Sequence, residues 1–332
     1  MLPVVHSLRK HWPQTRITWI IGKHEHRLMQ ALADVEFLVL DKAAGWRGYR
    51  QLYAQLAGRR FDLLLLMQVS MRAHIASLGV RAQRRIGYDA VRGRDLHGLF
   101  VDERIPFIDR QHVLEAQLGF LRYLGLPEPV LSWSIPISDA ERQWAADKLP
   151  GTQPTLLLAP ASSVALRNWS VKGYSGLVDY ALEELGLRVV ICGGPSAGER
   201  QLADRILAEC RSQQSPLDLV GQDTLPQLLA LMERSTVVVG PDSGPAHMAA
   251  LAGTPAIGLY GLSNPQRCGP YRWRQYCVDA YPRALQAVMA KSVEQVPWGT
   301  RVESEQAMAC ITVEEVCARL RQVCTARLAG AA

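Results

Sequence analysis

The segment best suited to chemistry is Gly240-Pro241-Asp242-Ser243-Gly244-Pro245-Ala246-His247, which follows an apolar run and opens a helical pattern. At such a position backbone N–H groups and the helix dipole favour an anion such as a diphosphate. Gly244 lets the backbone approach a ligand closely, and Ser243 can either cap the helix or donate to phosphate. Asp242 is expected to face hydroxyl groups, with His247 beside it in the first helical turn. The structural alternative is an ordinary Asp-Ser turn with a histidine packed in the core.

A second polar segment follows the apolar run 155–159. It contains the hydroxyls of Ser162 and Ser163 and, a few residues later, the guanidinium of Arg167. Two hydroxyls and a forked cationic donor at the end of a strand suit a diphosphate, and they need no metal ion to do so. The alternative is a polar loop with a solvated arginine.

A third feature is Glu199, which lies shortly after Gly193-Gly194-Pro195. A carboxylate at the entrance of a helix in a nucleotide-binding sheet can accept hydrogen bonds from both hydroxyls of a ribose. Acidic residues are also common in first helical turns, where they only complement the helix dipole. The prediction of a binding site therefore rests on the joint occurrence of the three features.

The elements that would position these residues alternate regularly in the second half of the chain. Apolar runs predict strands at 155–159, 188–192, 236–239 and 255–260, and helices are predicted at 171–185, 199–210, from 223 or 224 to 234, and from 244. This alternation predicts an α/β fold with a parallel sheet and right-handed crossovers. All three features then fall at the carboxyl ends of strands, where open α/β sheets bind ligands.

The first half repeats the alternation less regularly. Helices are predicted at 1–11, 24–32, 49–57, 113–124 and 139–148, and strands at 17–21, 37–40 and 63–67. At about 150 residues per domain, 332 residues predict two domains. We place them at 1–150 and 151–311, joined at Pro150-Gly151, with a C-terminal helix at 312–332 that packs back toward the N-terminal domain. Doubly wound domains open with a strand, whereas this chain opens with a helical pattern, so the first strand of the N-terminal domain is expected to be missing.

Composition and charge exclude several classes of protein. With 48% hydrophobic and 20% charged residues the chain is an ordinary globular protein. Residues 1–150 hold 21 Lys and Arg against 15 Asp and Glu, whereas residues 151–332 hold 16 of each. The basic half predicts an anionic partner, whether nucleic acid, acidic lipid headgroups or an acidic sugar, or else only a soluble basic face. The seven cysteines include no C-x-x-C pair, which predicts reduced thiols in a cytoplasmic protein without a zinc site.

The order of these motifs resembles one enzyme family. The segments Ser-Ser, Arg-Asn-Trp, Gly-Gly-Pro with a following Glu, then 239–247 and Gly-Thr-Pro-Ala-Ile-Gly-Leu-Tyr-Gly at 253–261 are similar to those of glycosyltransferase family 9, the heptosyltransferases of bacterial lipopolysaccharide core assembly. The resemblance implies a GT-B fold: two Rossmann-like domains with parallel sheets and an interdomain cleft, the C-terminal one for the donor. It also implies an inverting transfer from ADP-heptose to a Kdo or heptose acceptor, with no cofactor and no metal.

The resemblance assigns roles to residues already singled out. Ser162, Ser163 and Arg167 would contact the donor diphosphate, Glu199 the ribose and Asp242 the heptose. The remaining members of the donor site would be Ser243, Gly244 and His247. The segment 281–305 has no counterpart with a known role.

The resemblance is weaker in the first half, where it rests on segments such as Arg84-Arg85-Ile86-Gly87-Tyr88. Arg72, Arg84 and Arg92 could meet the carboxylates and phosphates of an anionic lipopolysaccharide core. His112 matches a position where the family often has a histidine. The implied partners are thus the sugar donor and this acceptor, with no nucleic acid, and a peripheral contact with the cytoplasmic face of the inner membrane.

One departure concerns catalysis. Family members open with a strand and a Ser-x-Gly-Asp type loop whose Asp is the general base, and that residue is expected to lie before Met1. No catalytic residue is therefore assigned. The alternatives are a donor-binding pseudoenzyme, or another nucleotide-sugar enzyme of the same architecture, such as a hexosyltransferase or an epimerase.

Overall fold

The first unit of the chain, Met1–Pro136, carries two parallel sheets rather than one. The computed structural model describes residues 1–329. The helices are α1 (Leu2–His11), α2 (Lys23–Met29), α3 (Trp46–Leu56), α4 (Met71–Leu78) and α5 (Val113–Tyr123), and the strands are β1 (Ile17–Gly22), β2 (Val35–Leu40), β3 (Phe61–Leu65), β4 (Ala82–Gly87) and β5 (Glu103–Arg104). Strands β1 and β2 pair with each other, and β3, β4 and β5 form the second sheet.

The sequence did not predict β4 or α4. The first four residues of β4 are Ala82-Gln83-Arg84-Arg85, which give no apolar signal, and only the parallel pairing with β3 makes this segment a strand. The other predicted elements of this half are present, with ends shifted by a few residues. Such shifts are normal at frayed ends.

The second unit begins at Ile137 and is built on one larger parallel sheet. Its helices are α6 (Asp139–Lys148), α7 (Val171–Glu183), α8 (Ala197–Glu209), α9 (Leu225–Arg234), α10 (Gly244–Ala252), α11 (Pro265–Cys268), α12 (Tyr281–Met289), α13 (Glu305–Ala309) and α14 (Val313–Ala329). Its strands are β6 (Thr155–Leu158), β7 (Arg188–Ile191), β8 (Leu217–Asp218), β9 (Val237–Pro241), β10 (Ala256–Tyr260) and β11 (Val278–Asp279). The strand order is β11-β10-β9-β6-β7-β8, and every recorded pair is parallel.

The core of the second unit explains why its elements were the easier ones to predict. Strands β6, β9 and β10 are buried at every position, because helices cover both faces of a parallel sheet. Their apolar runs are therefore continuous. Side chains also mark the helix starts: Ser170 caps α7 through the N–H of Gly173, and Thr224 caps α9 in a capping box.

The boundary between the units differs from the predicted one. We expected it at Pro150-Gly151, whereas it lies between Pro136 and Ile137. Helix α6 packs against α9 of the second unit, so it belongs to that unit. The proline-glycine pair marks only the turn that leads into β6.

The C-terminal helix α14 has its buried face within the second unit. Val316, Leu320 and Val323 lie in the same core cluster as β6, β7 and β9. The predicted packing of this helix toward the N-terminal domain remains a prediction. Across residues 1–329 the structure has no helix with the length and apolarity that a membrane span requires.

Two buried histidines hold the turn at 94–99 against α4. His74 and His97 are 0% and 2% exposed, and Nε2 of His74 lies 2.9 Å from Nδ1 of His97. Nδ1 of His74 faces the carbonyl of Asp95 at 3.1 Å, and Nε2 of His97 accepts the N–H of Tyr88 at 2.9 Å. Each ring thus has one donating and one accepting nitrogen, which is the neutral form. Burial, with a smaller contribution from His74, lowers the pKa of His97 to about 4.

We expect the first unit to lose stability as the pH falls from about 6.5 to 4. In this window the unfolded chain binds a proton at His97 and the folded chain does not, so the free energy of unfolding decreases, by about 3 kcal/mol in total. The measurements are the pH titration of the His97 ring by NMR and thermal unfolding at each pH. A ring that titrates near pH 6.5 in the folded protein would contradict the expectation.

Candidate functional site

The strand order places the site at the point where the sheet changes direction. From β6 the chain continues outward through β7 and β8, then crosses to β9 on the other side of β6. The loops after β6 and β9 therefore leave in opposite directions and open a crevice at their carboxyl ends. Such switch points are where open α/β sheets bind their ligands.

Asp242, directly after β9, is the centre of this crevice. Its side chain is 12% exposed, and Arg167 Nη1 lies 3.6 Å from Oδ2. Ser263 donates to the same oxygen at 2.7 Å, and Nε2 of His247 is 3.9 Å from Oδ1. Burial alone would raise the pKa of Asp242, but His247, Ser263 and the charge of Arg167 outweigh it and lower the pKa. The carboxylate is therefore ionised at neutral pH.

The loop after β6 contacts the backbone of Asp242. Arg167 Nη1 donates to the Asp242 carbonyl at 3.2 Å, and Ser162 Oγ donates to it at 3.3 Å. The N–H of Ser162 is fixed by Asn168 Oδ1 at 2.8 Å, whereas Ser163 is exposed on the same loop. Trp169 takes no part, since it is buried and donates to the carbonyl of Ile311.

The N-terminus of α10 has the features of an anion-binding site. A Cβ at Gly240 would lie 2.6 Å from the carbonyl oxygen of Ala159, so only glycine allows β9 this close to β6. Ser243 occupies the N-cap but makes no capping hydrogen bond, and its hydroxyl is buried without a partner. Nε of Arg167 is also a buried donor without a partner. Unpaired buried donors are costly, and an anion at the helix N-terminus would satisfy both.

Glu199 lies at the carboxyl end of β7, but its carboxylate is already engaged. Oε2 accepts the N–H of Gly194 at 2.6 Å, and Oε1 accepts the Ser196 hydroxyl at 3.1 Å. Glu199 thus orders the turn at Gly194 and the start of α8. Its predicted contact with a ribose remains a prediction.

Asp223, at the start of the helix predicted from 223 or 224, lies close enough to Glu199 for the two carboxylates to interact. Thr224 caps α9 instead, and Asp223 Oδ2 is buried without a hydrogen-bond partner. Burial, with a further contribution from Glu199, raises the pKa of Asp223 to about 7. The carboxyl group of Asp223 therefore titrates near neutral pH.

Most of the residues predicted to bind the acceptor form hydrogen bonds or ion pairs with other residues of the first unit. Arg84 forms two hydrogen bonds of 2.7 Å with Glu103, Arg92 pairs with Asp89, and His112 accepts the N–H of Leu114 as the N-cap of α5. Arg72 is exposed at the start of α4. Their acceptor roles remain predictions.

Several residues that line the cavity beside Asp242 were not predicted from the sequence. Ser263, Asn264, Arg267 and Cys268 follow β10, and residues 298–301 come from the loop before α13. Together with Arg167 and Asp242 they line a cavity of about 190 Å³. Polar residues directly after a buried strand were the available signal for the first group, whereas nothing local marked the second.

The crevice offers arginine, hydroxyl and carboxylate groups rather than a metal cage. Within residues 1–329 no group of three or more His, Cys, Asp or Glu side chains is arranged to hold a metal ion. The arrangement can bind an anion at the N-terminus of α10 and hydroxyl groups at Asp242.

Comparison with known proteins gives consistent matches. The family model of glycosyltransferase family 9 (heptosyltransferase) matches residues 49–296. The lipopolysaccharide core heptosyltransferase OpsX of Haemophilus influenzae is 34% identical over 322 residues, which is 97% of this chain and 92% of that protein.

Solved structures show the same fold. A family 9 glycosyltransferase from Veillonella parvula has a TM-score of 0.77 at 21% identity, covering 97% of this chain and 92% of that one. The heptosyltransferase WaaC of Escherichia coli, solved with ADP, has a TM-score of 0.69 at 16% identity, covering 97% and 94%. The predicted α/β fold of the GT-B type is thereby confirmed.

Because the pKa of Asp223 lies near neutral pH, we can predict how this residue changes the free energy of unfolding with pH. Because the folded pKa is about 7 and the unfolded pKa about 3.9, the folded state binds more protons between these values, and stability falls as the pH rises through them. We expect Asp223→Asn to be more stable than the native protein at pH 8, by about 4 kcal/mol, and about equally stable at pH 4. Thermal unfolding at both pH values measures this. An equal difference at both would show that Asp223 does not titrate as described.

Proposed function

The chain belongs to glycosyltransferase family 9, the heptosyltransferases of lipopolysaccharide core biosynthesis, and we propose that it transfers heptose from ADP-heptose to the lipopolysaccharide inner core. The acceptor in this proposal is a Kdo or heptose sugar. The transfer inverts the anomeric carbon and uses neither metal nor cofactor. The observation that carries the proposal is the pair of unsatisfied buried donors, Ser243 Oγ at the start of α10 and Arg167 Nε in the loop after β6.

The donor diphosphate is proposed to lie against these two groups. Backbone N–H groups at Gly244 and the dipole of α10 add a partial positive charge, and Ser162 and Ser163 flank the position from the loop after β6. Unbound donors in a folded protein cost free energy that a bound phosphate recovers. The heptosyltransferase WaaC of Escherichia coli was solved with ADP, which supports an adenine nucleotide as the ligand.

The two carboxylates indicate where the heptose and the ribose of the donor bind. Asp242 is held ionised and has acceptor capacity left at Oδ1, so it suits the hydroxyls of the heptose, with His247 beside it. Glu199 lies one strand further along, at β7, where a ribose would follow the diphosphate. To reach a ribose, Glu199 would share oxygens that now hold Gly194 and Ser196.

The chemistry of this proposal is a single displacement. The bond between the anomeric carbon and the oxygen of the distal phosphate breaks, and its electron pair leaves with ADP. The acceptor hydroxyl oxygen bonds to the opposite face of the same carbon and releases its proton to solvent water. Negative charge therefore grows on the departing diphosphate, where Arg167 and the N-terminus of α10 already lie. Fixed donors aimed at developing charge lower the barrier.

The anionic acceptor is proposed to bind to the first unit. Residues 1–150 carry the whole charge surplus of the chain, and Arg72 is exposed there. Arginine suits the carboxylates and phosphates of such an acceptor. We also propose that the protein works at the cytoplasmic face of the inner membrane, in peripheral contact with it.

A donor panel tests the proposed substrate. We expect calorimetric binding and turnover with ADP-heptose, with a matched UDP-hexose as the control. Tight binding of the UDP-sugar without binding of the ADP-sugar would refute the heptose donor and favour a hexosyltransferase or an epimerase.

Removal of the central cation tests the placement of the diphosphate. We expect Arg167→Ala to weaken ADP binding by roughly 10- to 100-fold, since a hydrogen bond to a charged group contributes about 1.5–3 kcal/mol. Arg205→Ala, an exposed arginine of α8, is the control for the loss of one charge. Unchanged ADP affinity in Arg167→Ala, with unchanged thermal stability, would contradict the placement.

A further inference from the structure

The cavity beside Asp242 is lined by further residues that have no role in the donor contacts proposed above. Its volume of about 190 Å³ is the space of about six water molecules, which suits a phosphate with part of a sugar but not a whole nucleotide. One wall consists of Arg167 and Asp242. Its lining also includes Arg267, near the end of α11, and Arg301, in the loop before α13.

The charges around this cavity do not balance. Its lining residues include three arginines and a single carboxylate, which leaves a net charge of +2. Arg167 pairs with Asp242, whereas the side chains of Arg267 and Arg301 form no hydrogen bond or ion pair with any residue in the described part of the chain. Arg267 is half-buried and Arg301 is exposed. Guanidinium groups that converge without a counter-ion favour a phosphate, whose oxygens match their forked donors.

The loop that carries Arg301 is held in place by packing and by backbone hydrogen bonds. Val296 and Val302, on either side of the turn, are buried in one cluster with Leu262 and Tyr281. The hydroxyl of Tyr281 donates to the carbonyl of Thr300 at 3.0 Å, and the N–H of Val302 donates to the carbonyl of Leu262 at 2.8 Å. Arg301 is thus presented from a fixed backbone, which limits the conformational cost of ligand binding.

We infer that Arg267 and Arg301 bind the distal phosphate of the donor, the one bonded to the sugar. This inference rests on the proposed function. A nucleoside diphosphate ester carries one negative charge on each phosphate, and the positive net charge of the cavity attracts the distal one. The proximal phosphate lies at the N-terminus of α10, and the distal phosphate reaches the cavity between Arg167 and these two arginines. The same groups stabilise the charge that this phosphate gains when its bond to the sugar breaks.

The test compares ADP with AMP, because only ADP has the distal phosphate. We expect Arg267→Ala and Arg301→Ala each to weaken ADP binding at least about fivefold, and AMP binding by less than about twofold. Arg267→Lys, which keeps the charge but loses the fork, should lie between Arg267→Ala and the native protein. Arg205→Ala is the matched control and should change neither affinity.

The outcomes separate this inference from the proposed function. If the native protein binds ADP and both alanine variants keep its ratio of ADP to AMP affinity, the role of these arginines is refuted and the donor proposal stands. If both variants lose ADP and AMP binding equally, the distal-phosphate role is likewise refuted. If the native protein binds no adenine nucleotide at all, the donor proposal fails and this inference fails with it.

Discussion

The ionised carboxylate of Asp242 is the group on which the site of the second unit depends. A buried charge is tolerated only when charged and hydrogen-bonding groups surround it. Here Arg167 does so from the loop after β6, Ser263 from the loop after β10 and His247 from the first turn of α10. Each of these contacts fixes a further part of the wall. The carbonyl of Asp242 adds to this, since Ser162 and Arg167 both donate to it. One residue therefore orients the loops after β6, β9 and β10 together.

Close approach of two strands makes this arrangement possible. Gly240 has no side chain to clash with the Ala159 carbonyl, so β9 lies next to β6 up to its end, and Asp242 emerges beside Ser162. The helix that follows has an uncapped N-terminus, with the Ser243 hydroxyl buried and unpaired. A fold that leaves donors unpaired at the switch point of a parallel sheet loses stability there and gains a binding site for an anion.

The first unit shows a different use of polar groups. Its buried histidines complete a hydrogen-bond chain with backbone atoms, and Arg84, Arg92 and His112 contact neighbouring residues of the same unit. These groups are hydrogen-bonded or ion-paired within the first unit, whereas the site of the second unit has donors without hydrogen-bond partners and arginines without counter-ions. The strongest structural support for function thus comes from the donor half, and the basic surplus of the first unit supports the acceptor only through its sign.

In the second unit the sequence alone determined strands β6, β7, β9 and β10, helices α6 to α10 and α14, and three of the groups at the site, whereas β8, β11 and α11 to α13 were not predicted. Continuous apolar runs mark β6, β9 and β10 because strands covered on both faces need no polar positions, and Ser162, Arg167 and Asp242 stand directly after such runs. Only the tertiary structure decided the rest. Strand β4 exists through its pairing with β3, and α6 joins the second unit by packing on α9. Ser263, Arg267 and Arg301 line the cavity beside Asp242 although they lie 21 to 59 residues further along the chain. Local patterns report which residues are buried, but contacts between distant segments depend on how the strands are ordered in the sheet, and no local pattern carries that order.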